Sequence, residues 1–331
     1  MDGRLSEASA LFDNAIHLLL ARWPRAADPD EAFTADGYLS QMFLYKGVVA
    51  YQQCDYVSAA GLFRRAVEQL EVLAAKAPRV AVLDLLSQTY KNLGTVLTRQ
   101  GKTEEAVAYA DRAVKLRREL AEEPAVLHPE RDLADALGEK AGVLVDAGDA
   151  FGAADLLRQV VAIYERTVQN EGKQIETPRL AKAYVNLALV TSRSGDHRAA
   201  LPLFDKGIAL MDRCVRELGH SDLEPELIHF LLNSEVPLRE LGRWSEARSC
   251  LHQVVSRLEP LIRDRGRDDL RNDLAMAYSD LAYVAVQQDN LSEARRYYRE
   301  CIAIWRDFVH RQGRREFSRY LELAEANLQN V

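Results

Sequence analysis

Apolar positions along this chain fall into paired stripes with helical spacing, and the whole arrangement returns every 47 residues. Over 131–148, Leu137, Ala141 and Leu144 fall at i, i+4 and i+7; over 149–170, Ala153, Leu157, Val160, Val161 and Tyr164 stripe a second segment. Such spacing predicts two amphipathic helices joined by a tight turn. The turn slot holds Gly101, Gly148, Gly195 and Gly242, with Cys54 and Asp289 at either end of the series. Five residues beyond each stands an alanine: Ala59, Ala106, Ala153, Ala200, Ala247 and Ala294. Pro78, Pro124, Pro129, Pro178 and Pro225 cluster where a second helix gives way to the next first helix, as expected where one helix stops and another begins. A fixed period of this length predicts an all-α stack of antiparallel helix hairpins, each burying its apolar face on its neighbours.

The phase accounts for nearly all of the 331 residues as a single domain, 1–331. Six hairpins are expected over 36–316. Residues 5–22 read as an unpaired second helix, because Ala8, Leu11 and Phe12 repeat the spacing of Ala59, Leu62 and Phe63. Residues 317–330 read as an unpaired first helix, with Leu321 and Leu328 in the places of Leu274 and Leu281. These half-units are either caps or the cut ends of a longer array; a cap should present a polar outer face, and Phe12, Ile16 and Leu19 leave both readings standing. The segment 24–36 is longer than the other links and is the best candidate for a mobile loop. In the fifth unit Ser234 replaces a leucine, Glu235 a small residue, and Pro237 enters the first helix, which predicts a kink.

Tyr90, Leu93, Gly94, Leu97, Gly101, Ala106 and Ala113 carry a resemblance to the tetratricopeptide repeat family: a large residue, Leu-Gly, an apolar residue, the turn glycine and two alanines. Gly195-Asp196 through Ala200 and Gly242 through Ala247 repeat the turn. The family's usual unit has 34 residues, and the longer one here resembles the extended repeats of kinesin light chains and of bacterial signalling proteins. HEAT-like packing, the rival on length, does not explain the Gly-x4-Ala turn. The resemblance implies a right-handed superhelical solenoid whose first helices line a concave groove. Small residues at Gly94 and Ala106 would let the two helices of a hairpin approach closely.

On that implication the ligand-facing stripe contains Lys91, Asn92 and Arg99 in the second unit and Asp135, Glu139 and Asp146 in the third. Lys182, Asn186 and Arg193 follow in the fourth, His229, Asn233 and Arg239 in the fifth, and Asp280 and Tyr283 in the sixth. Asn92, Asn186, Asn233 and Asn327 share one phase. A side-chain amide is both donor and acceptor, so these residues either clamp the backbone of an extended peptide or bond a neighbouring helix. Charge along the stripe alternates basic, acidic, basic. This suits a ligand acidic near its ends and basic between, or is simply a solvated mixed face.

Composition adds mainly exclusions. Apolar residues make up 48% and charged residues 28%, ordinary for a folded soluble chain. The net charge of −7 disfavours wholesale nucleic-acid binding. Arginines between 263 and 319 are interleaved with Asp264, Asp268, Asp269, Asp273, Glu300 and Glu316, which points to local pairing on an outer face. Glu7 and Asp13 interrupt the apolar positions around Leu11, so no secretory signal is expected, and no stretch reaches the roughly 20 apolar residues of a membrane helix. Cys54, Cys214, Cys250 and Cys301 form no CxxC pattern, and Cys301 takes an apolar core slot; a reducing, cytoplasmic setting fits. The excess of Arg over Lys hints at a GC-rich bacterium. The seven histidines lie in different units without i, i+4 pairs, and no catalytic or phosphate-binding motif is present. No enzyme activity, cofactor or metal is expected. His197, just past a turn, reads as solvated.

The leading reading is a non-enzymatic scaffold binding a peptide segment or protein in the groove. The alternative is a regulatory sensor controlling a bacterial effector such as a kinase, an NTPase or a protease, and a third reading is self-association through the end helices.

Overall fold

The computed structural model describes residues 2–22, 29–169 and 174–331. Among them are fourteen α-helices and no strand. Two compact units are formed, Met1–Gly172 and Lys173–Val331.

The first unit contains α1 (Asp2–Arg22), α2 (Pro29–Gln52), α3 (Tyr56–Lys76), α4 (Val80–Arg99), α5 (Thr103–Leu120), α6 (Pro129–Asp146) and α7 (Ala150–Gln169). Helices α2/α3, α4/α5 and α6/α7 are antiparallel hairpins, each packed on the next, and α4 touches both α2 and α6, so the first helices share one layer. The core between layers is built from Phe63, Leu70, Leu93 and Leu97, all essentially inaccessible. Helix α1 lies on α2 and leaves Leu11 and Leu18 exposed on its far side.

The second unit contains α8 (Thr177–Arg193), α9 (His197–Arg216), α10 (Glu224–Glu240), α11 (Trp244–Arg265), α12 (Arg271–Gln287), α13 (Leu291–Arg306) and α14 (Ser318–Gln329). Short 3₁₀ turns lead into α8, α10, α12 and α14, and a single π turn, Asp307–Arg311, prolongs α13. Three hairpins again stack in order, with α14 against α13.

The 47-residue slots have direct structural meaning. At each turn the residue in the glycine slot is left-handed, from φ 56° at Asp289 to φ 90° at Gly195. The next backbone N–H then reaches back to a carbonyl in the last turn of the first helix: Lys102 to Leu97 at 2.9 Å, Asp149 to Leu144 at 2.8 Å, Asn290 to Ala285 at 2.8 Å. This is the glycine-type helix stop that satisfies otherwise unpaired carbonyls. Asp55, Asp149, Asp196 and Asn290 then cap the second helix through side-chain oxygens. All six alanines of the repeat have 0% exposure, which explains why nothing larger stands there. A β-carbon on Gly94 would sit 3.3 Å from the carbonyl oxygen of Ala106, so the predicted close approach is real.

Several expectations change. Of the segment read as a loop over 24–36, residues from Pro29 onward form the start of α2; 24–28 lie outside the described residues. Proline is favoured in the first helical turn, so Pro29 marks a helix start rather than a break. Pro237, where a kink is expected, lies inside α10, which continues to Glu240 without the N–H that would bond the carbonyl of Asn233. His197 is not freely solvated: its Nδ1 lies 3.0 Å from Ser192 Oγ and the residue is half-buried. As expected, the arginine-rich stretch is paired locally, in Arg263–Asp264 and Arg267–Asp269.

Candidate functional site

In the first unit, the exposed sides of α2, α4 and α6 form two adjoining clefts. One of about 680 Å³ lies among α4, α6 and the 121–128 connection and takes in Lys91 and Asn92 together with Gln88 and Asp135. The other, about 470 Å³, lies between α2 and α4 and is walled by Phe33, Tyr38 and Tyr45. They meet at Asp84 and Gln88. Arg117, only 8% exposed, lines the larger cleft, and its guanidinium bonds Asp84 at 2.5 Å and reaches Asp132 at 3.5 Å. Arg99 is not part of either cleft; it lies near the turn, beside Tyr51 and within the field of Asp146.

In the second unit the predicted residues spread over α8, α10 and α12. Lys182 pairs with Glu226 at 2.7 Å, tying α8 to α10. Asn186 and Arg193 are exposed, and Arg193 has no ion-pair partner among the described residues. Arg239 sits between two carboxylates, Glu235 Oε1 at 3.9 Å and Asp280 Oδ1 at 3.8 Å, with its guanidinium 5.4 Å from the ring centre of Tyr283. Burial pushes the Glu235 carboxyl up to about 7 and that of Asp280 up to about 6; Arg239 opposes both shifts. Tyr283 is exposed and meets Trp244 edge-on at 6.2 Å. His229 stands 3.9 Å from Asp273, whose carboxyl burial also raises.

The basic band expected across the fourth and fifth units is therefore largely neutralised, because Glu226, Glu235 and Asp280 face its cations. One stripe of one helix could not reveal partners contributed by the next helix. The asparagines behave differently. Among the described residues the side-chain amides of Asn92, Asn186 and Asn233 make no hydrogen bond, whereas Asn327 lies near Tyr298. Sequence reasoning missed the aromatic wall of α2, although Tyr45 occupies the same phase as Asn92, one period earlier.

Repeated antiparallel hairpins with buried small residues at the turn define a fold of stacked helix hairpins like that of tetratricopeptide repeats. Residues 86–124 and 274–307 match the tetratricopeptide repeat family. No curated protein matches the chain in sequence. Among solved structures, BtubC (BKLC) from P. vanneervenii is similar with a TM-score of 0.60 at 16% identity, covering 78% of this chain and 92% of that one. A putative kinesin light chain from Podosopora anserina with nearly identical TPR-like repeats aligns with a TM-score of 0.54 at 20% identity, over 68% and 96%. Aspartyl phosphate phosphatase F from Bacillus subtilis aligns with a TM-score of 0.54 at 15% identity, over 82% and 71%. These likenesses establish the fold.

Proposed function

We propose that the protein is a non-enzymatic interaction scaffold that binds a peptide segment or protein partner along the exposed faces of its first helices. One observation carries this reading: Asn92, Asn186 and Asn233 recur in one phase, and their amides make no hydrogen bond among the described residues. A surface amide with no internal partner offers a donor and an acceptor to an extended backbone whatever its side chains. Lys91 stands beside Asn92 in the larger cleft, and Arg193 offers a further charge on α8. The aromatic wall of α2 supplies apolar area for an anchoring side chain, the part of an interface that contributes most to affinity. Four free cysteines, three of them buried, fit a cytoplasmic setting.

The test is affinity capture from the source cell with the wild-type chain and with a variant carrying Asn92→Ala, Asn186→Ala and Asn233→Ala. A partner held by the first and lost by the second supports the site. A partner retained equally by both removes the amides from the account.

A further inference from the structure

Glu235 occupies a slot that every other hairpin fills with a small residue: Gly47, Gly94, Ala141, Ala188 and Ala282. Its side chain is wedged into the α10/α11 hairpin and is 2% exposed. Its Oε1 has no hydrogen-bond partner. A carboxylate so placed is costly unless something compensates its charge. The groups that face it are Arg239 and Glu240 on its own helix, Asp280 on α12, and the Cys250 thiol on α11. Asp280 in turn faces Arg239, with Tyr283 and Tyr298 nearby.

Two carboxylates thus share a single guanidinium, at distances too long for hydrogen bonds. With both carboxyls ionised, the trio of Glu235, Asp280 and Arg239 is one positive charge short of neutral. On its open side lie Asp280 and Arg239, each 28% exposed at the side chain, and the exposed ring of Tyr283 backed by Trp244. An electron-rich ring beside an under-compensated carboxylate favours a cation. An incoming anion would meet Arg239 but also both carboxylates, so the balance of charge opposes it.

We propose that the surface between α10 and α12 receives one cationic side chain, an arginine or lysine of a bound polypeptide, which pairs with Asp280 beside the Tyr283 ring while Glu235 supplies the second negative charge from behind. The proposal rests on the first-helix faces being the contact surface and names the chemistry recognised at one point on it.

The probe is the pentapeptide acetyl-Ala-Ala-Arg-Ala-Ala-amide, titrated into the full chain and followed by the NMR signals of the Asp280 carboxyl and the Tyr283 ring. Saturable shifts with a Kd of about 1 mM or tighter are expected. Asp280→Asn and Glu235→Gln should each weaken binding at least about tenfold, the loss of one charged partner. The same peptide with citrulline for arginine, neutral and nearly isosteric, should leave both signals unmoved. Absence of saturation, equal shifts from the citrulline peptide, unchanged affinity in both variants, or preferential binding of the corresponding glutamate peptide would each overturn the proposal. If a cellular partner is captured through Asn92, Asn186 and Asn233 while the arginine peptide is ignored, only this inference fails and the scaffold reading stands.

Discussion

The hydroxyl of Tyr90 donates a 2.7 Å hydrogen bond to the carboxylate of Glu71, closing the boundary between α4 and the hairpin before it. Four periods later Tyr278 donates to Glu259 at the same 2.7 Å. Arg112 adds a second contact to Glu71 at 3.2 Å. The repeat therefore preserves a polar clasp as well as an apolar core. Tyr90→Phe should lower stability by about 1.5–3 kcal/mol, the value of a hydrogen bond to a charged group. Tyr278→Phe should cost less, because its bond is exposed. Denaturation midpoints of the two variants provide the comparison.

The turn slot yields a prediction of opposite sign. Cys54 at φ 60° and Asp289 at φ 56° hold a left-handed backbone without being glycine. Cys54→Gly and Asp289→Gly should each stabilise the chain by up to about 1 kcal/mol, and Gly148→Ala should destabilise it by a similar amount. Thermal melts of the three variants would show it; a stabilised Gly148→Ala would mean the turn conformation is not what the repeat selects.

These slots also mark what the sequence makes legible. A period of 47 and the Gly-x4-Ala turn are local signals, each fixed by one backbone conformation and one close contact, so hairpins and turns can be read directly. The alanines at 0% exposure and the stop at each turn follow from them. Ion pairing was not legible, because Lys182–Glu226 and Arg239–Asp280 join residues about one period apart on neighbouring first helices. Glu235 stood out as a departure from the repeat, but its lack of a hydrogen-bond partner depends on what α11 and α12 bring around it. Likewise, Tyr45 lay in the Asn92 phase, yet only the cleft beside it shows that the α2 face is open.

Arg117 is the structural charge of the first unit. Its side chain is 8% exposed and bridges Asp84 to Asp132 at the larger cleft. Arg117→Ala should destabilise the chain by about 2 kcal/mol, the value of a hydrogen bond to a charged group, because Asp84 and Asp132 keep access to water. Arg117→Met combined with Asp84→Asn should recover part of that loss. Urea titrations of the single and double variants test the coupling.

Glu235 should impose a pH dependence on stability. Its carboxyl is raised from 4.5 to about 7 in the folded chain, chiefly by burial, so the folded state holds a proton that the unfolded state releases. The stabilising contribution is full below about pH 4.5 and lost as pH rises through about 7. Asp280, raised to about 6, acts in the same direction. Melting temperatures should therefore fall between pH 5 and pH 8, more steeply for the wild type than for Glu235→Gln. Glu235→Ala, which restores the small residue of the other hairpins, should gain stability at the alkaline end.

The most direct test is amide hydrogen exchange of the full chain with and without its captured partner. Added protection is expected on the first helices, centred on Lys91–Asn92 in α4, Asn186 in α8 and Asn233 in α10. Protection confined to the second helices, α5, α9 and α11, with the first helices unchanged, would contradict the account.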